Sequence, residues 1–460
     1  MNPKALPLQA VFIGLLLFVL AGVCSAGDFS YIANPPRAQA SADVVPNGLP
    51  FCKTSSGSAI VCFSPSFVRT AYNFPSNLDG TGQTILIVDA FGSPTIQNDL
   101  AAFDKFFGIP DPPSFTVLCP NGCPSSSFNN KHHDVLGWAF ETSLDVEYAH
   151  AMAPGANIVL VVAATSSGNA INVAEAKAIE LYPGSVMSQS FGIPEILVHG
   201  NNAQLMQAHK NYVTAEAAGI TVLASTGDFG ATNGFNTANA QFPASDPLVT
   251  AVGGTQGLPY IPFGTSASCA LGATCSSGLA TVQGPCATGS TFHTPACTPV
   301  GYGGEQVWNE PEFGSATGGA PSLFFGVPSY QSGLGLNTRT TPDVSYNAAI
   351  DGGVLVYTSF LGFPAFFFVG GTSAGSPQWA AVFALVNQCR ANHGLGPLGF
   401  ANATIYSLAG AGFHDITTGN NELVGTPVGF TAGTGWDSAS GWGTPDVANL
   451  LPGLAGTSCP

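Results

Sequence analysis

The chain has 460 residues and an acidic balance, with 26 Asp and Glu against 10 Lys and Arg and a formal net charge of −16. No basic stripe is available to neutralise phosphates, which argues against nucleic-acid binding. Only 8% of residues are charged. That suits a protein kept in acid, where little positive charge is left to self-repel once carboxylates protonate. A generic extracellular surface rich in Ser, Thr, Asn and Gly fits the same composition.

The first residues read as a targeting signal. Lys4 gives one positive charge, an apolar run follows from Ala10 to Val23, and Cys24-Ser25-Ala26 closes it. This is the pattern of a secretory signal peptide over residues 1–26, with cleavage near Ala26. The run is short for a span, which needs ~20 apolar residues. No later segment reads as a membrane span, since 360–371 is broken by Pro364 and glycines. The expectation is a secreted, extracellular protein, monomeric and off the membrane after cleavage. Cleavage would remove Cys24 from the 11 cysteines and leave ten in an oxidising compartment, all read as structural. Cys119 and Cys123 are close, as are Cys52 and Cys62, and Cys286 and Cys297; the connectivity stays open.

Residues 27–65 read as an extended N-terminal arm, and one domain is expected over 66–455. Within it, strands are expected at 84–90, 157–163, 185–192 and 221–227. Helices are expected at 96–108, around 136–152, around 170–181 and at 201–218. Continuous apolar strands alternating with helices predict an α/β fold with a central parallel sheet and right-handed crossovers. Residues 255–320, rich in Gly, Ser, Thr and Cys, read as a loop-and-hairpin insertion. Strands at 354–360 and 366–371 and a helix from Pro377 to Asn392 return to the core.

Several segments carry chemistry. In FFFVGGTSAGSPQWAAVFALV (366–386), Ser373 lies at the turn between an apolar strand and an apolar helix. A hydroxyl at a helix N-terminus faces N–H groups and a dipole that favour developing negative charge. GTSxxxP in this setting is the nucleophile segment of the subtilisin-like fold; a capping serine is the bland alternative. A serine nucleophile needs a base. In GWAFETSLDVEYAHAM (137–152), Glu141 and Asp145 are spaced i, i+4, so a helix sets both carboxyls on one face. Paired carboxyls in a cleft spread their pKa values, whereas a solvated helix face would give the same spacing. Asp228, in LASTGDFGA (223–231), ends a strand in a Gly-rich turn. Such an Asp is usually turn chemistry, but once protonated it could donate to an oxyanion.

Together these segments resemble the sedolisins, the serine-carboxyl peptidases built on the subtilisin fold. The matching stretches are SPSFVRTAYNF (64–74), ETSLD, SQSFG (188–192), STGDFG, TPDVSYNA (341–348), GGTSAGSP, FHDITTGN and GWDSASGWGTPD. The resemblance implies a subtilisin-like single domain that hydrolyses peptide bonds of proteins or peptides. It implies Ser373 as nucleophile, Glu141 as general base and acid, Asp145 as its partner and Asp228 as the oxyanion acid. It also implies one structural Ca2+ held by the carboxylates of Asp415 and Asp437 and the carbonyls of Ile416, Gly433 and Gly435. Hard oxygen donors of that kind suit calcium.

Two rivals are a Ser/His/Asp subtilase using Asp89 with His132 or His133, and a non-catalytic calcium-binding scaffold. Neither histidine is followed by the Gly-Thr of the subtilisin pattern. One departure from the sedolisins is expected as well. They usually carry a long N-terminal pro-segment, whereas only about forty residues separate the signal from the core here.

Overall fold

Apolar runs with few polar interruptions become strands covered on both faces. In the computed structural model they are Thr84–Ala90, Asn157–Ala163, Val186–Gln189 and Thr221–Ser225. The structure describes residues 28–33, 35–40, 51–53, 59–123, 133–198, 202–257, 267–268, 274–275 and 302–459. The signal-like segment and most of the 255–320 insertion lie outside them.

The main sheet runs in the order Glu305–Val307, Thr250–Gly257, Thr221–Ser225, Val186–Gln189, Thr84–Ala90, Asn157–Ala163, Phe115–Leu118. Val344–Asn347 also pairs with Thr250–Gly257, in parallel. All neighbours are parallel except Glu305–Val307, which pairs antiparallel through Thr255 and Val307. A smaller sheet follows the order Arg37–Gln39, Ala365–Val369, Gly353–Thr358, Ala59–Phe63, Phe51–Lys53. The arm read as merely extended therefore supplies strands to that sheet.

Two interior helices cover the main sheet: His133–Met152 packs between it and the smaller sheet, and Gly375–Asn392 packs beside that helix on the main sheet. His133–Met152 is buried from Gly137 to its end, and Gly375–Asn392 is buried from Gly375 to Cys389. A helix packed on all sides is mostly small and apolar, yet the first also carries Glu141, Asp145, Glu147 and His150 into the interior, and the second Gln378 and Asn387. The second starts at Gly375, not Pro377, because a short turn at Thr372–Ala374 runs straight into it. Pro377 still falls in the first turn, where a missing N–H costs nothing. Ile96–Phe107, Gly168–Leu181 and Ala203–Ala217 cover the outside. Among the described residues, the disulfide Cys119–Cys123 closes a surface turn, and Cys389–Cys459 ties the buried helix Gly375–Asn392 to the C-terminal segment. No helix among those residues is long and apolar enough to cross a membrane.

One buried ion pair fixes the strand that ends beside the site. Arg339 Nη1 and Nη2 donate to the two carboxyl oxygens of Asp343 at 2.7 and 2.5 Å. Asp343 also accepts from Ala251 N at 2.7 Å and Tyr406 OH at 2.7 Å. Removing one partner of such a pair leaves the other charge buried alone. Asp343→Ala is expected to lower the unfolding free energy by about 3–5 kcal/mol, read from urea melts against wild type.

Candidate active site

Ser373 lies in the turn Thr372–Ala374, between the strand Ala365–Val369 and the helix Gly375–Asn392. Its side chain is 7% exposed. Its hydroxyl donates to Ser190 O at 3.3 Å, and the Ser190 hydroxyl donates back to Ser373 O at 3.2 Å. Ser190 directly follows the strand Val186–Gln189 of the parallel main sheet, and Ser373 follows Ala365–Val369 of the smaller sheet, which pairs antiparallel, so the carboxyl ends of strands from both sheets meet here. Carboxyl ends of strands in α/β sheets are where ligands bind.

Gly371 is indispensable to this turn. Its φ is +95°, and a Cβ there would fall 2.6 Å from Asp228 Oδ2. That closeness brings Asp228 to the Ser373 turn. Asp228 Oδ1 accepts from Thr372 N at 2.8 Å and Thr372 Oγ1 at 2.9 Å. Thr372 Oγ1 in turn accepts from Gly227 N at 3.0 Å. Crowding by protein pushes the Asp228 carboxyl up to about 6, with the Thr372 bonds opposing the shift. The residue keeps partial exposure.

Glu141 and Asp145 sit one helical turn apart, and both are 0% exposed. The helix thus places both carboxyls on one face, and that face is interior. Neither carboxyl makes a hydrogen bond of regular geometry. Burial pushes Glu141 well above the ordinary range, and the charges of Asp145 and Asp89 push it further; the nearby Ser373 hydroxyl opposes this. Burial likewise raises Asp145, then Asp89, with the Ser190 hydroxyl opposing. Asp89, near the end of Thr84–Ala90, is raised to about 7 by burial, with Thr142 opposing. Both of its oxygens also lack hydrogen bonds.

The structure therefore brings together Ser373, Glu141, Asp145 and Asp228, and adds Asp89 as a third interior carboxyl. The sequence considered Asp89 only as a partner for histidine. Its signal was an Asp inside the apolar run TILIVDA, where an unpaired charge is costly. The histidines with described side chains are engaged elsewhere. His150 bonds Pro110 O at 2.9 Å, His209 bonds Asp246 at 2.8 Å, and His393 bonds Cys389 O at 2.9 Å. His414 stacks on Tyr302 at 3.5 Å. The side chains of His132 and His133 lie outside the described residues.

The second predicted set is linked pairwise by backbone N–H groups. Gly435 N donates to Asp415 Oδ2 at 2.9 Å, and Gly433 N donates to Asp437 Oδ2 at 2.9 Å. Asp437 further accepts from Ala439 N and Ser440 N, each at 2.9 Å. Neither carboxylate is in an ion pair among the described residues. Those residues hold no cluster of three or more His, Cys, Asp or Glu placed for a metal. Two carboxylates alone would be too few, so carbonyls must complete any site. The donor chemistry, hard oxygens with uncompensated negative charge, fits calcium.

Comparison with known proteins places the family and the fold. The subtilase family model matches residues 129–443, and the chain belongs to the subtilase family. The resemblance to sedolisins holds across the chain. It is 31% identical to kumamolisin of Bacillus sp. (strain MN-32) over 421 residues, 87% of this chain and 65% of that protein. It is 27% identical to sedolisin of Pseudomonas sp. (strain 101) over 418 residues, 86% of this chain and 62% of that protein. It is 30% identical to tripeptidyl-peptidase 1 of Homo sapiens over 413 residues, 85% of this chain and 64% of that protein. The chain thus spans less than two thirds of the length of these relatives. Among solved structures, Pseudomonas sedolisin, a serine-carboxyl proteinase complexed with two molecules of pseudo-iodotyrostatin, matches with a TM-score of 0.67. That match has 26% identity and covers 86% of this chain and 98% of that one.

The raised carboxyls set a sign for stability. A carboxyl whose pKa is higher in the folded state binds its proton more tightly there, so it stabilises in acid and loses that contribution as pH rises. Asp228 at about 6 and Asp89 at about 7 place the loss between the unfolded carboxyl range and neutrality. The melting temperature is expected to be higher at pH 5 than at pH 7.5, measured by calorimetry at constant ionic strength.

Proposed function

We propose that this chain is a secreted serine-carboxyl peptidase acting in acid on proteins or peptides. The observation that carries the reading is Ser373 beside an interior carboxyl pair, with no histidine between them among the described residues. Glu141 takes the Ser373 proton as Oγ attacks the scissile carbonyl carbon. The carbonyl oxygen becomes an oxyanion, and Asp228 donates a hydrogen bond to it. Thr372 engages Asp228 Oδ1, which leaves Oδ2 to carry the proton. Glu141 then gives its proton to the leaving amine, and the acyl group stays on Ser373. A water molecule, deprotonated by Glu141, releases the acid and restores the hydroxyl. Asp145 holds Glu141, and the pair titrates with Asp89 as a set.

The pH dependence follows from Asp228. It donates only when protonated, and its carboxyl sits at about 6, so kcat/KM should fall as pH rises through that value. Ser373→Ala should abolish cleavage of a denatured protein, and Glu141→Gln should lower kcat about 10²–10⁴-fold. Asp228→Asn should lose about 10²–10³-fold. Serine-dependent cleavage that peaks at or above neutrality and disappears in His133→Ala would replace this reading with the Ser/His/Asp one. Absence of cleavage at every pH in a folded protein would favour a non-catalytic scaffold.

Within the same proposal, the Asp415 and Asp437 carboxylates and the Ile416, Gly433 and Gly435 carbonyls would hold one calcium ion. Its chemistry there is charge neutralisation that locks the C-terminal loops, and it takes no part in the hydrolysis. The signal pattern at 1–26 supports secretion, and no observation calls for more than one copy. Chelation or Asp437→Asn should lower the melting temperature at neutral pH by several degrees, with calcium restoring the chelated protein.

A further inference from the structure

Ser190 and Asp228 approach the Ser373 turn from two sides. The Ser190 carbonyl accepts from the Ser373 hydroxyl, and Asp228 accepts from Thr372. The chain leaves Ser190 through Phe191 and Gly192, and it reaches Asp228 through Gly227. A substrate carbonyl with its carbon at Ser373 Oγ and its oxygen at Asp228 directs the side chain of its own residue into the gap between these two segments. Both walls of the gap are glycine, and one side chain spans it. A Cβ on Gly192 would lie 2.1 Å from Gln241 Nε2 and 2.2 Å from Gln241 Cγ. A Cβ on Gly227 would lie 2.5 Å from Gln241 Oε1 and 2.5 Å from Asn233 Oδ1. Gln241 is carried by the short strand Gln241–Phe242, which pairs antiparallel with Ile193–Pro194, and its carbonyl accepts from Ser245 N at 3.0 Å. The backbone that leads out of Ser190 therefore sets where the amide sits.

The polar atoms of this gap lack partners. Asn233 is 5% exposed, and its Nδ2 donates to Asn239 O at 2.6 Å. That bond fixes the amide, so Oδ1 is the end that faces Gly227, and Oδ1 has no hydrogen-bond partner. Gln241 is half-buried, and its amide makes no hydrogen bond among the described residues. Two carbonyl oxygens thus meet beside one glycine with no donor between them. Turning the Gln241 amide over would bring Nε2 toward Asn233 Oδ1 and Oε1 toward Gly192, so an acceptor faces the gap in either orientation. Desolvated acceptors without a donor are costly, and a ligand that supplies an N–H or O–H removes the cost.

We propose that Gln241, with Asn233 behind it, determines specificity in the pocket for the residue that acylates Ser373. This pocket selects side chains that carry a hydrogen-bond donor, glutamine and asparagine foremost, over apolar ones. The proposal rests on the peptidase reading and narrows it to one substrate class, polypeptides cut after amide residues.

The test compares Gln with Met, two side chains of similar length and volume. Two internally quenched peptides differ only in that residue on the acyl side of the scissile bond. The full chain cleaves them in acid, and mass spectrometry locates the cut. Wild type should show a kcat/KM at least about tenfold higher for the Gln peptide, since a site that bonds a polar group rejects the analogue lacking it. Gln241→Met should erase or invert that ratio. Gln241→Glu keeps the side-chain length and is used if the methionine variant melts early; it should raise cleavage after Lys relative to Gln by about tenfold. A wild-type ratio near one, a preference for Met, or ratios unmoved by the variants would overturn the proposal. A second measurement needs no hydrolysis. Fluorescent peptide acids ending in Gln or Met are titrated into the full-length Ser373→Ala chain, where the terminal residue takes the same pocket. The Gln ending should bind about tenfold tighter, and Gln241→Met should remove the difference. Equal affinities, or no binding of either peptide, would overturn the pocket. Loss of all serine-dependent hydrolysis in wild type would defeat the peptidase reading, while this titration still decides the pocket.

Discussion

Asp89, Glu141 and Asp145 share one buried interior region, and none of their oxygens has a hydrogen-bond partner of regular geometry within the protein. Three ionised carboxylates cannot coexist there, because each loses hydration worth several kcal/mol and repels the others. Protons must be held in common. Much of the architecture serves this arrangement. The helix His133–Met152 is sunk between two sheets, so its i, i+4 carboxyls face protein and not water. The strand Thr84–Ala90 at the middle of the main sheet ends in Asp89 beside them.

Other buried acids show what a structural solution looks like. Glu305 accepts from Tyr72 OH, Thr255 Oγ1, Tyr302 OH and Thr444 Oγ1 at 2.5 to 2.9 Å. Glu310 caps Ile350 N at 2.6 Å, Asp351 N at 3.0 Å and Trp308 Nε1 at 2.8 Å. Glu175 accepts from Gln189 Nε2 at 2.6 Å and Asn211 Nδ2 at 3.2 Å. With only 10 Lys and Arg in the chain, these acids are stabilised by neutral donors. The fold can saturate a buried carboxyl where structure requires it. Asp104 also lacks hydrogen bonds but faces His150 at 3.3 Å, whereas Glu141, Asp145 and Asp89 have neither hydrogen bonds nor an ion pair, which separates them from the rest. Unused lone pairs beside a serine hydroxyl are what proton exchange needs.

The parts legible in sequence were those with strong local signals. Thr84–Ala90 and Asn157–Ala163 are unbroken apolar runs, and the structure starts and ends them where they were read. Glu141 and Asp145 needed only helical spacing, and Ser373 only a strand, a glycine pair and a proline. Thr250–Gly257 escaped because TAVGGTQG lacks an apolar run; its strand state comes from pairing with Thr221–Ser225 and Val344–Asn347, which are distant in sequence. Asp89 was visible as a residue but not as a third carboxyl, since its neighbours come from another element. The course of the arm was hidden for the same reason. FSYIANPPRAQ carries no period, and the strand state of Arg37–Gln39 depends on pairing with Ala365–Val369, more than 300 residues away.

A carboxyl base and a sparse surface charge answer the same physical demand. An ordinary imidazole, with a pKa near 6.5, is protonated in acid and cannot accept the serine proton. A carboxyl pair whose proton is shared still offers an accepting oxygen there, and the protonated Asp228 offers a donor. Conditions that favour both states also charge every histidine and neutralise the surface acids. A chain dense in Lys and Arg would then repel itself. This chain has few, and it keeps Arg339 inside a bidentate pair with Asp343. Arg37 is packed on Phe140 beside Glu141, where burial lowers the guanidinium to about 10 and the Glu141 charge opposes that shift. Its position is set by the pairing of Arg37–Gln39 with the strand Ala365–Val369, so the sheet that leads into the Ser373 turn also holds a guanidinium beside the carboxyl set.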